Sequence, residues 1–246
     1  MSGHSKWHNI RLRKGKVDAQ RGALFTKLSK EIILAAKSGS TDPEANYRLK
    51  MAVEKARENN MPAENIKRAI ARAGGSGEKD IDEIRYEGYG PAGVAVVVDA
   101  ATDNRNRTAG ELRFLFSKQG GTMGESGSVA WMFDPVGVIV VDPQGRNEEA
   151  LTESALIDGV VDLEFAEPAE IFTEPAALAN VRDALAAAGI KIVDAFLGVR
   201  AKQKIAPTGA ELSAALTFLE ALEEHEDVQR VFSNIEVSET ALEALA

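Results

Sequence analysis

Cysteine is absent from the 246 residues of this chain. That excludes disulfides, thiolate metal sites and cysteine nucleophiles, and it suits a reducing compartment. Aromatic residues are scarce, with two tryptophans and three tyrosines. No apolar run approaches the roughly 18–20 residues that cross a bilayer. The first residues lack the apolar core of a signal peptide, so a cytoplasmic location without membrane association is expected. Histidine occurs three times. His4 and His8 are four apart, but the nearest acidic residue is Asp18, which leaves too few ligands for zinc. His225, inside EEHED, reads as a solvated residue ending a helix. G-x-S-x-G, Walker A and H-E-x-x-H are all missing. No catalytic residue, metal, cofactor or small-molecule substrate is expected, and the chain reads as a non-enzyme.

Acidic residues are also missing from one end. Asp18 alone opposes eight Lys and Arg in the first thirty residues. Residues 1–79 hold 17 basic and 8 acidic residues, whereas 80–246 hold 12 basic and 30 acidic. A basic front on an acidic body points to a polyanion bound by one end only. Residues 2–16, SGHSKWHNIRLRKGK, show neither helical nor alternating periodicity and read as an extended basic arm. Lys6, Arg11, Arg13, Lys14, Lys16, Arg21, Lys27 and Lys30 are expected to neutralise phosphates, which gives affinity without sequence choice. Trp7 and His8 are expected beside an unpaired base. A second candidate is TDNRNRT (102–108), where Arg105 and Arg107 stand out in an otherwise acidic region. Thr108 reads there as a helix N-cap with Glu111 as its capping-box partner.

Periodicity organises the rest. Leu24, Leu28, Ile32 and Ala35 mark one face of a helix over 17–37. Asp42-Pro43 signals the start of a second helix to about Glu58, with Leu49, Ala52, Val53 and Ala56 inward. A third carries Ile66, Ala69, Ile70 and Ala73. The Gly-rich GGSGEK (74–79) coincides with the charge switch and ends a first domain, 1–79. Strands follow at 84–90 and 93–101, a helix at 106–118 and a strand at SVAWMF (128–133). GYGPAG (88–93) matches G-x-G-x-x-G literally, but the β-branched run behind it makes a hairpin turn the reading. Residues 136–201 give the order β-α-β-β-α-β, which is ferredoxin-like. The helix at 208–224 and strand at 228–237 are surplus to that unit and return to the earlier strands. The expected organisation is α+β in three domains. A basic arm and helical bundle occupy 1–79, and an α+β domain takes 80–134 plus 205–246. An inserted ferredoxin-like domain fills 135–204.

Long ordered segments carry a resemblance. GHSKWHNIRLRKGKVDAQRGALFTKLSKEI, DPEANYRLKMAVEKARENNMPAENIKRAI, YEGYGPAGVAVVVDAATDNRNRT and GGTMGESGSVAWMF together resemble the YebC/PmpR family. The mitochondrial translational activator of cytochrome c oxidase is a member. The resemblance spans nearly the whole chain and implies the same three domains. It implies a cytoplasmic DNA-binding transcriptional regulator, or alternatively a ribosome-associated factor that binds ribosomal RNA and relieves stalling on proline-rich sequences. The expected partner is therefore promoter DNA or ribosomal RNA. Leu12 and Gly15 depart from the family's usual NIKHKKA-like run while keeping its charge.

Overall fold

The computed structural model describes residues 19–75, 80–238 and 241, with side chains from residue 22 onward. Three helices come first: α1 (Ala19–Lys37), α2 (Tyr47–Glu58) and α3 (Ala63–Ala73). Leu28, Ile32 and Ala35 of α1 pack on Leu49, Ala52, Val53 and Ala56 of α2 and on Ile66 and Ala69 of α3. Apolar residues three and four apart share a face, and those faces meet in one core. Leu24, expected on the same stripe, is 37% exposed.

The start of α2 differs from expectation. Asp42-Pro43 lies in a turn, and the helix begins after Asn46. The Asn46 side-chain oxygen accepts from Leu49 N at 3.1 Å, while its amide donates to the carbonyls of Ala35 and Ser40. One asparagine thus caps α2 and ties the connection back to α1, which Asp42 cannot do from its place in the turn.

The chain then forms β1 (Asp82–Tyr89), β2 (Ala95–Thr102), α4 (Arg105–Lys118) and β3 (Thr122–Met123). β1 and β2 pair antiparallel from Asp82↔Thr102 to Tyr89↔Ala95. GYGPAG is the hairpin connection: Pro91–Gly93 make one 3-10 turn, and Gly90 N donates to Val94 O at 2.7 Å. A Cβ on Gly90 would lie 2.4 Å from the Phe218 ring, so glycine is needed there for packing. Residues 130–132 form a 3-10 turn in place of the expected strand, and β4 begins only at Phe133.

β4 (Phe133–Asp142), α5 (Glu148–Ser154), β5 (Val160–Glu164), β6 (Ala169–Thr173), α6 (Leu178–Ala187) and β7 (Lys191–Ala201) build a second sheet. Its antiparallel order β5-β6-β4-β7 is ferredoxin-like. Leu151 of α5 and Val181 and Leu185 of α6 cover Ile139, Val141 and Ile171 on one face. The chain returns through α7 (Gly209–Glu224) to β8 (Val228–Ser233), which pairs with β2 and completes the first sheet in the order β3-β1-β2-β8. Phe116 of α4 and Phe218 of α7 meet edge-on at 5.0 Å over that sheet. The fold is α+β, with the second sheet nested between β3 and β8.

Polar contacts join the three regions. Asp194 of β7 accepts from Lys55 of α2 at 3.3 Å and from Arg230 of β8 at 3.1 Å, and Glu31 of α1 is within reach of both cations. The Arg230 guanidinium lies 3.7 Å from the Phe196 ring centroid, and Arg182 of α6 lies 3.3 Å from that of Tyr47.

Candidate nucleic-acid interface

Lys6, Trp7, His8, Arg11, Arg13, Lys14, Lys16 and the Arg21 side chain lie outside the described residues. The other expected phosphate ligands are within them, and each has an intramolecular partner. Lys27 and Lys30 project from α1 onto the C-terminal end of α7. Lys27 Nζ donates to Glu223 O, and Lys30 Nζ donates to Glu226 O at 3.2 Å and to the Asp227 carboxylate. The last turn of α7 has no basic residue of its own. Lys27 therefore meets a carbonyl of its last turn and Lys30 a carbonyl just beyond it, both at the negative end of its dipole.

Asp227 is fully buried. Its carboxylate also accepts from Arg107 Nη2 at 3.0 Å and from Thr108 Oγ1 at 2.6 Å. Burial opposes its ionisation, but hydrogen bonds from Lys30, Thr108 and Arg107 outweigh that cost and lower its pKa to about 2. Lys30 thus has a buried carboxylate where the sequence suggested a phosphate. Arg107, partly exposed, shares it. Arg105 pairs with Asp82 at 2.9 Å and keeps 66% of its side chain exposed.

The start of α4 also departs from the sequence reading. Asn104 is the N-cap, and its side-chain oxygen accepts from Arg107 N at 3.1 Å. Thr108 sits one turn further in and is buried, so no capping box forms with Glu111. Its hydroxyl serves Asp227 instead. Glu111 meets His225 Nε2 at 3.1 Å. His225 ends α7, as expected, but it is only 12% exposed rather than solvated. Its Nδ1 accepts from Asp227 N at 3.1 Å, so the neutral ring carries its proton on Nε2 and donates to Glu111. Glu111, His225 and Asp227 bring ligand atoms within 4.8 Å of one another. The Asp227 oxygens already face two cations and a hydroxyl, and this is the chemistry of an ion-pair hub. Arg57, Arg68, Arg113 and Lys118 are exposed and form no ion pair among the described residues.

A different site was not legible in the sequence. The segment 124–132 wraps around Glu87, a residue 4% exposed on β1. One Glu87 oxygen accepts from Gly127 N at 2.8 Å, and the other accepts from Val129 N at 2.9 Å and Ala130 N at 2.8 Å. Burial raises the Glu87 pKa, but these three amides and Arg85 outweigh burial and hold it below the usual carboxylate range. Gly127, at φ +88°, supplies the left-handed backbone that aims its amide inward. Val129 and Phe133 plug into the core with Ala95, Val97 and Phe232. Trp131, between them, is 67% exposed. Glycine and serine in GESGS are a turn signal, but nothing in sequence order connects that run to Glu87, forty residues earlier.

Two family models match this chain. The TACO1/YebC N-terminal domain covers residues 5–76, and the TACO1/YebC second and third domain covers 81–235. A probable transcriptional regulatory protein from Pelotomaculum thermopropionicum is 48% identical over 243 residues, covering 97% of this chain and all of the relative. Another with that name, from Herpetosiphon aurantiacus, is 47% identical over 249 residues, covering all of this chain and 99% of the relative. Among solved structures, the conserved hypothetical protein Aq1575 from Aquifex aeolicus superposes with a TM-score of 0.83 at 42% identity, over 91% of this chain and 93% of that one. Matched from its first helix to its last strand, the chain belongs to the TACO1/YebC family.

Proposed function

We propose that this protein is a non-enzymatic regulator that binds nucleic acid, with promoter DNA as its target. The observation that carries the reading is the concentration of positive charge at one end, 17 basic against 8 acidic residues in 1–79, on a body with 30 acidic and 12 basic. A basic segment attracts a phosphate polymer more strongly than an acidic body does, so binding is oriented. Lys27, Lys30 and Arg107 are engaged within the fold. The grip therefore falls to Lys6, Arg11, Arg13, Lys14, Lys16 and Arg21, with Arg105 available beside β1. The names of the relatives support a regulatory role.

The test is salt-dependent binding to duplex DNA. With about five phosphates engaged, log affinity falls against log salt with a slope near −4.5. Changing Arg11, Arg13, Lys14 and Lys16 together to Ala should flatten that slope by about four phosphate equivalents, roughly 3.6. A slope that stays the same in the quadruple variant removes the proposal. Retention of binding by ribosomal RNA fragments alone, with no duplex bound, moves the protein to translation.

A further inference from the structure

We propose that Trp131, with Tyr89 and Lys202, forms a stacking platform for an unpaired base of a single-stranded nucleic acid. The inference deepens the function proposed above and rests on it. It adds a contact for an unpaired base to the grip on phosphates.

The platform is built and held open. Val129 and Phe133 are core residues on either side of Trp131, so the chain turns the indole outward while both neighbours anchor it. The indole N–H donates to Ser128 O at 3.1 Å, which fixes the ring by its one polar atom and leaves its faces without a polar group. The Tyr89 hydroxyl approaches the same carbonyl at 3.4 Å, and its ring is 38% exposed. Lys202 is bound to the loop twice, through its amide to Met132 O at 2.9 Å and through Nζ to Trp131 O at 2.9 Å. Its ammonium also lies 3.4 Å from Asp134 and remains about half exposed. Beneath the loop, buried Glu87 holds the amides of Gly127, Val129 and Ala130.

A large ring kept in water gives up the gain of burial, and a loop pinned by a buried carboxylate prevents its collapse onto the sheet. A rigid indole face with a cation at its edge matches a base and its phosphate. Bases stack on aromatic faces once they leave the duplex, and the neighbouring ammonium meets the backbone charge. A paired base presents no face to such a platform. The ring's indole N–H is already used, so the contact is tolerant of base identity and is common to RNA and DNA.

The experiment uses the full chain with Trp7→Phe, which leaves Trp131 as the sole tryptophan. Oligo(U), oligo(dT) and a blunt DNA duplex are titrated while indole fluorescence is followed. Quenching by the single strands and a loss of about tenfold in their affinity on Trp131→Ala are expected, with Trp131→Phe restoring most of it. Duplex affinity should be unchanged by either substitution. A difference between oligo(U) and oligo(dT) identifies the source of the base. Single strands that bind the Ala variant as tightly as the parent overturn the platform, as does parent binding to duplex alone, and both leave the phosphate grip standing. Parent protein that binds none of the three probes overturns the proposed function itself.

Discussion

At the scale of single residues, two buried carboxylates organise the molecule. Asp227 collects Lys30, Arg107 and Thr108, and Glu87 collects three backbone amides. Asp227 titrates near 2, below an unfolded Asp near 3.9. Its stabilisation is complete above the unfolded pKa and is lost as pH falls through the folded one, so about 2 kcal/mol should disappear between about pH 5 and pH 2. Asp227→Asn should remove that part of the acid transition. It should also cost about 3 kcal/mol at pH 7, because Lys30 is left buried beside a neutral amide. Denaturant midpoints measured across that pH range check both. Glu87→Gln keeps the shape but weakens three charge-assisted bonds, for a loss of about 1–3 kcal/mol. Amide exchange at Gly127, Val129 and Ala130 should accelerate more than at β1 itself.

Elements begin and end where side chains answer orphan backbone groups. The apolar stripes of α1, α2 and α3 were readable from spacing, because a helix face repeats with its own period. Their boundaries were not. Asn46 displaced Asp42-Pro43 as the start of α2, and Asn104 displaced Thr108 as the start of α4, because each asparagine adopts an extended backbone and reaches an amide three residues on. Asn104→Ala should cost about 1 kcal/mol and leave the Thr108–Asp227 bond in place, whereas Thr108→Val removes that bond at similar size. A melting-temperature comparison, with Asp227→Asn as the common background, separates them: the Asn104 effect should persist there and the Thr108 effect should shrink. The strand expected over 128–133 failed for a related reason. Backbone amides of Gly127, Val129 and Ala130 point at Glu87 rather than at a neighbouring strand.

For the molecule as a whole, polar junctions tie together regions far apart in sequence. Lys30 joins α1 to the corner before β8, and Asp194 joins the second sheet to α2 and to β8. Burial raises the Asp194 pKa, but Arg230 and Lys55 outweigh it and lower the value below the usual range, so this junction too weakens in acid. Asp194→Ala should uncouple the second sheet, and calorimetry should then show unfolding spread over more than one transition. The quadruple arm variant should instead leave melting within about 2 °C of the parent, because the proposed grip assigns those four side chains to phosphates and not to the core.

The sequence alone was enough to determine the α+β class of the fold, most of its helices and strands, and the excess of positive charge in residues 1–79. Each of these follows from local periodicity or from composition, which need no knowledge of distant neighbours. Tertiary structure alone decided which cations are spoken for. Lys27 and Lys30 read as phosphate ligands beside Lys16 and Arg21, yet folding brings the end of α7 against them, about two hundred residues downstream. It also decided that Trp131 faces water, because the carboxylate that holds its loop comes from another strand. A charge or a ring keeps its chemistry along the chain, but its availability depends on what the fold brings within hydrogen-bonding reach.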